Sequence, residues 1–193
     1  MRVRNSSQGY GAIAIALHWV VVALVLGAWV TGQFGDELPR GAPRETGLFV
    51  HMSLGLAVVA FVVARLFWCL SDPPPAPEET SLGAWGEWAG KVVHYLIYVT
   101  LIAVPVAGIV VQFARGHALP VLGLFELASP WLADRAFAHD VKEVHELLAN
   151  AMMALIGLHA AAALGHHYIF RDRTLLRMLP VARSRPFVSS QKL

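Results

Sequence analysis

The run VKEVHELLANAMMALIGLHAAAALGHHYIF extends from Val141 to Phe170 and carries no charge between Glu146 and Arg171. About 20 apolar residues of helix cross the hydrocarbon core of a bilayer, so this stretch reads as a membrane span. It also holds four histidines: His145, His159, His166 and His167. A polar ring in lipid is costly unless it is paired or ligated. His145 and His159 lie 14 residues apart. That is close to four helical turns, so both return to nearly one helix face, separated by a rise of about 21 Å. Two cofactors stacked against one helix across a membrane would need such a spacing.

The rest of the chain has the same character. Of its 193 residues 56% are hydrophobic and 15% charged, with a mean hydropathy of +0.56, too apolar for an ordinary soluble domain. Three further spans run over about residues 12–32, 48–70 and 88–113, the last with Pro105 as a kink site. The break Ser71-Asp72-Pro73-Pro74-Pro75-Ala76-Pro77-Glu78-Glu79 cannot continue a helix. The expected fold is all-α: an integral membrane four-helix bundle forming one membrane domain over 1–193, with the fourth span at about 141–170 and a tail over 171–193. The first span follows Arg2 and Arg4 but is longer than the apolar region of a signal peptide, and so reads as a retained anchor. The connection 116–140 is expected to lie along the membrane surface as a short interfacial helix.

Four spans put both termini on one side. That side carries Arg2, Arg4, Arg171, Arg173, Arg177, Arg183, Arg185 and Lys192, with Arg65 and Lys91 flanking, against Arg40, Arg44, Arg115, Arg135 and Lys142 on the other. The excess of cations predicts cytoplasmic N and C termini. With a net charge of only +2 and no basic and aromatic groove, a lipid surface and not nucleic acid is the expected partner.

Among the nine histidines, His18, His51 and His94 also fall within apolar spans. Because the spans alternate in direction, depth pairs His18 with His159 on the inner side and His51 with His145 on the outer side. Four neutral imidazoles would supply two axial ligands to each of two irons, which suits electron transfer because no coordination position stays open. A small residue stands one turn from each ring: Ala14, Gly55, Ala149 and Ala163. The lone Cys69 and the lack of a Cys-x-x-Cys-His element mean that any haem is held without covalent attachment. No cluster of carboxylates or thiols suits another metal centre. Taken singly, a membrane histidine bonded to a backbone carbonyl is as good a reading as a ligand, so a haem-free structural or transport protein is the competing class. His94, His166 and His167 read as interfacial rings or as part of a proton path. His117 and His139 receive no role.

The runs Leu158-His159-Ala160-Ala161-Ala162-Ala163-Leu164-Gly165-His166-His167-Tyr168 and Asp172-Arg173-Thr174-Leu175-Leu176-Arg177-Met178-Leu179-Pro180 resemble the end of bacterial cytochrome b561 proteins. So do Leu17-His18-Trp19, the segment from His51 to Arg65, and Val144-His145-Glu146, in the same order over about residues 10–180. The resemblance implies a di-haem b cytochrome of the bacterial inner membrane, with His18 and His159 on the inner haem and His51 and His145 on the outer. It further implies exchange of electrons with the ubiquinone pool and, as in some members, oxidation of superoxide at the outer face. Arg115, Arg135 and Lys142 are the candidate cations for attracting that anion. Trp19, Arg65, His166 and His167 are the candidate lining of an inner quinone site. The alternative within redox chemistry is a relay subunit for a dehydrogenase or a soluble electron carrier.

Overall fold

The computed structural model describes residues 2–7, 9–78 and 83–180. Arg183, Arg185 and Lys192 of the expected cytoplasmic tail, and Glu79 of the acidic break, lie outside the described residues. Four helices carry the fold: α1 (Ala12–Phe34), α2 (Ala42–Ser71), α3 (Gly83–Ala114) and α4 (Arg135–Gly165), the last prolonged by a π-helical stretch, His166–Phe170. All four are long and apolar enough to cross a membrane.

Each helix begins where local chemistry allows. Pro43 stands in the first turn of α2, where its missing N–H is no loss and its fixed φ suits the helix. The polar Arg44 and Glu45 follow it, so the hydropathy pattern begins only at Leu48 although the helix starts at Ala42. Asp134 caps α4, its side chain accepting from the Phe137 amide at 3.0 Å.

Helix α1 packs along α2, and α3 along α4. Between the pairs lies an apolar layer of Val21, Val25, Val58, Val62, Leu101, Val104 and Met152. Lipid is as apolar as these side chains, so close van der Waals packing, and not escape from water, holds the layer together. Large apolar side chains also face outward, among them Leu70, Leu147 and Phe67, as a lipid-facing surface requires.

The α3 to α4 connection is not the interfacial helix expected from sequence. It forms an antiparallel hairpin, β1 (Leu119–Val121) with β2 (Phe125–Leu127). Its turn places Leu122 at φ 52° and Gly123 at φ 73°, and two successive positive φ values match the twist of paired strands. Pro120 within β1 and Pro130 beyond β2 disfavour a continuous helix here. The Gln112 side chain donates to Ala118 O at 2.8 Å and Ser129 Oγ to Phe113 O at 2.9 Å, fastening the connection to α3.

Both described terminal segments meet at the opposite end of the bundle from the hairpin. Asn5 N donates to Asp72 Oδ2 at 2.8 Å, Trp19 Nε1 to Met178 O at 2.8 Å, and Arg177 Nη1 to Ala76 O at 2.9 Å. The two ends are called here the hairpin end and the terminal end.

Candidate functional site

The histidines singled out by spacing meet in two pairs. At the hairpin end the rings of His51 (α2) and His145 (α4) stand 6.0 Å apart between centres. At the terminal end His18 (α1) and His159 (α4) stand 6.4 Å apart. Two imidazoles facing each other across one metal ion, each bonded at ~2 Å, have ring centres roughly 6 Å apart. Both pairs match that span.

The seats of the hairpin-end pair are built alike. His51 Nδ1 donates to Ala28 O of α1 at 2.8 Å, and His145 Nδ1 donates to Val104 O of α3 at 2.9 Å. A carbonyl can only accept, so Nδ1 carries the proton and Nε2 keeps its lone pair, the arrangement metal-bound histidines adopt. Four residues after each accepting carbonyl comes a glycine. A Cβ on Gly32 would stand 2.9 Å from His51 Cε1, and one on Gly108 would stand 3.2 Å from His145 Cε1. Carbonyl and glycine, one turn apart on a neighbouring helix, thus form a slot for each ring. Neither glycine stood out in the sequence, because its role depends on a residue of another helix.

Beside this pair lies a cavity of about 520 Å³, within the range of cofactor sites. Its walls include Gly55, Val58, Val104 and Ala149, and cations Arg44, Arg115 and Lys142 also line it. The indole N–H of Trp29, in the same wall, is buried without a hydrogen-bond partner. Facing imidazoles with free Nε2 atoms, apolar walls, cations and an unpaired donor fit a haem, whose faces are apolar and whose propionates are anionic. Of the three cations proposed from sequence, Arg115 and Lys142 line this cavity and Arg135 does not. Lys142 pairs with Glu146 one turn on, and Arg44, counted among the outer-side cations but not proposed for the site from sequence, donates to Leu38 O at 3.1 Å.

The terminal-end pair has different surroundings. Arg65 of α2 reaches His18, its Nη1 2.7 Å from Nδ1, while its Nε donates to Tyr98 Oη at 2.9 Å. His94 of α3 stands with its ring centre 4.8 Å from that of His159, and its Nδ1 donates to Gly90 O at 2.7 Å. The four residues expected around a quinone fall into two contact groups. Trp19 lies edge-on to His18 and Arg65 is bonded to it. His166 instead donates to Asp172 Oδ2 at 2.5 Å and His167 packs against Tyr168. No hydrogen bond or ring contact joins these two subsets among the described residues.

A family model described as prokaryotic cytochrome b561 matches residues 9–181. The chain is 35% identical over 175 residues to a probable superoxide oxidase CybB of Yersinia pestis, covering 90% of this chain and 97% of the relative. It is 31% identical over 185 residues to cytochrome b561 homolog 2 of Escherichia coli (strain K12), covering 93% and 95%. It is 33% identical over 177 residues to cytochrome b561 homolog 1 of the same organism, covering 86% and 94%.

Proposed function

The chain belongs to the prokaryotic cytochrome b561 family of membrane electron carriers, and from that premise we propose that it carries electrons from superoxide at the hairpin end to ubiquinone at the terminal end, through two b-type haems. The observation that supports this most is the pair of facing histidine couples, His51 with His145 and His18 with His159, at 6.0 and 6.4 Å. Bis-histidine haems supply one-electron storage without an open coordination position. His145 and His159 hold the two sites on one helix face, with the apolar layer containing Met152 between them.

In this reading the hairpin end faces outward and both termini lie in the cytoplasm of a bacterial inner membrane, where Arg2, Arg4, Arg171 and Arg173 collect. Arg115 and Lys142, on the cavity wall beside His51 and His145, raise the local concentration of an anion such as superoxide. Superoxide gives up one electron and leaves as dioxygen. Two electrons and two protons convert the quinone to its quinol, and Trp19, Arg65, His166 and His167 are the residues proposed near that step. Arg135 takes no part in the cavity wall and has only a long-range electrostatic role.

The reading is tested on the purified protein in two steps. Its visible spectrum and haem content are expected to show low-spin b-type haem at two per chain; absence of haem sinks the proposal at once. Stopped-flow mixing with superoxide is then expected to reduce the haems at a rate that falls with ionic strength and is several-fold lower in Arg115→Gln. Haems that superoxide does not reduce would leave the relay alternative, in which a protein partner is the donor.

A further inference from the structure

The hairpin is a connection by topology but not by composition. From Leu119 to Leu127 it reads LPVLGLFEL, with Glu126 as its one charge. Leu124 is 78% exposed and Phe125 54%, and Leu122 is exposed beside them at the turn. These side chains are held outward on a fixed frame, because the root of the hairpin is buried at Leu119 and fastened to α3 through Gln112 and Ser129. An exposed apolar surface of this kind marks contact with lipid or with a partner.

The height of the turn decides between the two. Its Gly123 lies against Phe49 of α2, which a Cβ there would touch at 3.4 Å. Leu48, Phe49 and Val50 are all exposed and belong to the apolar flank of that span. Phe49 stands two residues before His51, a rise of about 3 Å toward the hairpin end. The facing ring of His145 marks the same level on α4, and there Lys142, Glu143 and Glu146 are charged and exposed. The turn thus reaches the level where the apolar flank of α2 begins and the charges of α4 cease, which is where acyl chains meet headgroups. It does not reach deeper, since neither outer edge of the two-stranded hairpin is paired among the described residues, and open sheet edges are not tolerated in the hydrocarbon itself.

We propose that the hairpin is a lipid-binding element, its turn seated at the acyl–headgroup boundary of the leaflet at the hairpin end beside the flank of α2. Leu122, Leu124 and Phe125 enter the lipid, while Glu126 stays among headgroups and water. Arg115 and Leu119, at the root of the hairpin, line the hairpin-end cavity, so the seat ties one wall of that cavity to the membrane surface. The inference rests on the chain spanning a membrane and is independent of the electron donor and acceptor proposed above.

The test uses the full chain in nanodiscs of phosphatidylcholine, prepared with and without bromine on the acyl chains near the headgroup. A fluorophore is attached to single cysteines in a Cys69→Ser background. Leu124→Cys and Phe125→Cys label the proposed seat, so that one remains should the other not fold. Val106→Cys, on the exposed flank of α3, is the lipid standard, and Asp140→Cys, exposed and further out on α4, is the water standard. Brominated lipid is expected to quench the labels at Leu124 and Phe125 several-fold more than the label at Asp140, and aqueous iodide to quench them less. Labels at the turn that behave like the one at Asp140 would overturn the proposal and leave this surface to a soluble partner. Labels shielded from both quenchers, with Leu124→Cys chains cross-linking to one another, would overturn it in favour of a second copy. The label at Val106 separates the two levels of inference. If brominated lipid does not quench it, the span assignment fails; if it is quenched and the turn is not, the seat alone fails.

Discussion

At the scale of single residues, the hairpin-end site depends on atoms that are absent. Gly32 and Gly108 leave room for the His51 and His145 rings one turn beyond the carbonyls that orient them. A methyl group at Gly32 would stand 2.9 Å from His51 Cε1, closer than side-chain carbons are found, so the ring must move; at Gly108 the distance is 3.2 Å and a small adjustment suffices. Overpacking of this kind costs about 1–3 kcal/mol, which in a ligand seat corresponds to roughly a tenfold or greater loss of haem affinity. Gly32→Ala is therefore expected to lower the content of one haem, and Gly108→Ala to lower it less. Gly157→Ala, where a Cβ meets nothing within 4 Å, serves as the control and keeps both. Equal haem content in all three, measured as the pyridine haemochrome, would count against the slots.

At the scale of elements, hydropathy revealed the spans but not their ends. A window of apolar residues reports what lies in lipid, whereas α2 starts six residues earlier at Ala42 because Pro43 begins it, and α4 starts at Arg135 because Asp134 caps it. The pairing of His18 with His159 and of His51 with His145 was legible because depth and helical period are properties of one chain segment at a time. The hairpin was not, since Leu122-Gly123 lacks the usual Asn-Gly signal and its turn packs near Phe49 of α2, a residue distant in sequence, which a Cβ on Gly123 would touch at 3.4 Å. The end of α4 was likewise hidden. There the π-helical stretch closes on Arg171 in the left-handed region, at φ 56°, and Asp172 accepts from His166 Nδ1 and, at 2.8 Å, from the Thr174 amide. Burial pushes the Asp172 carboxyl up, but the hydrogen bonds from His166 and Thr174 outweigh it and hold the pKa below the ordinary value of 3.8. A depressed folded pKa contributes stability that is present above the ordinary value and is lost as pH falls through the folded one. The turn after α4 is thus expected to keep its hydrogen-exchange protection at the Thr174 amide down to that acid range and to lose it below. Asp172→Asn should have lower protection at neutral pH and little further loss in acid; an unchanged profile in that variant would assign the protection to backbone bonds alone.

At the scale of the whole molecule the bundle is three layers deep: one histidine pair at the hairpin end, the apolar layer of valines, leucine and methionine, and a second pair at the terminal end. Helix α4 contributes to both pairs, while α2 and α1 each supply one opposing ring. Connectivity therefore makes a prediction that sequence neighbours do not. His51 and His145 are 94 positions apart and His18 and His159 are 141 apart, yet each couple is expected to behave as one unit. His51→Ala and His145→Ala should remove or perturb the same haem, and His18→Ala and His159→Ala the other, with the apolar layer confining each loss to its own end. Because two substitutions within one unit break the same pair of bonds, the double variant His51→Ala/His145→Ala should lose little more haem than either single one, whereas His51→Ala/His159→Ala should lose both. The spectra of the four single variants, sorted by which band disappears, test the pairing directly. If His51→Ala and His159→Ala extinguished the same band, the couples seen here at 6.0 and 6.4 Å would not be the couples that hold haem.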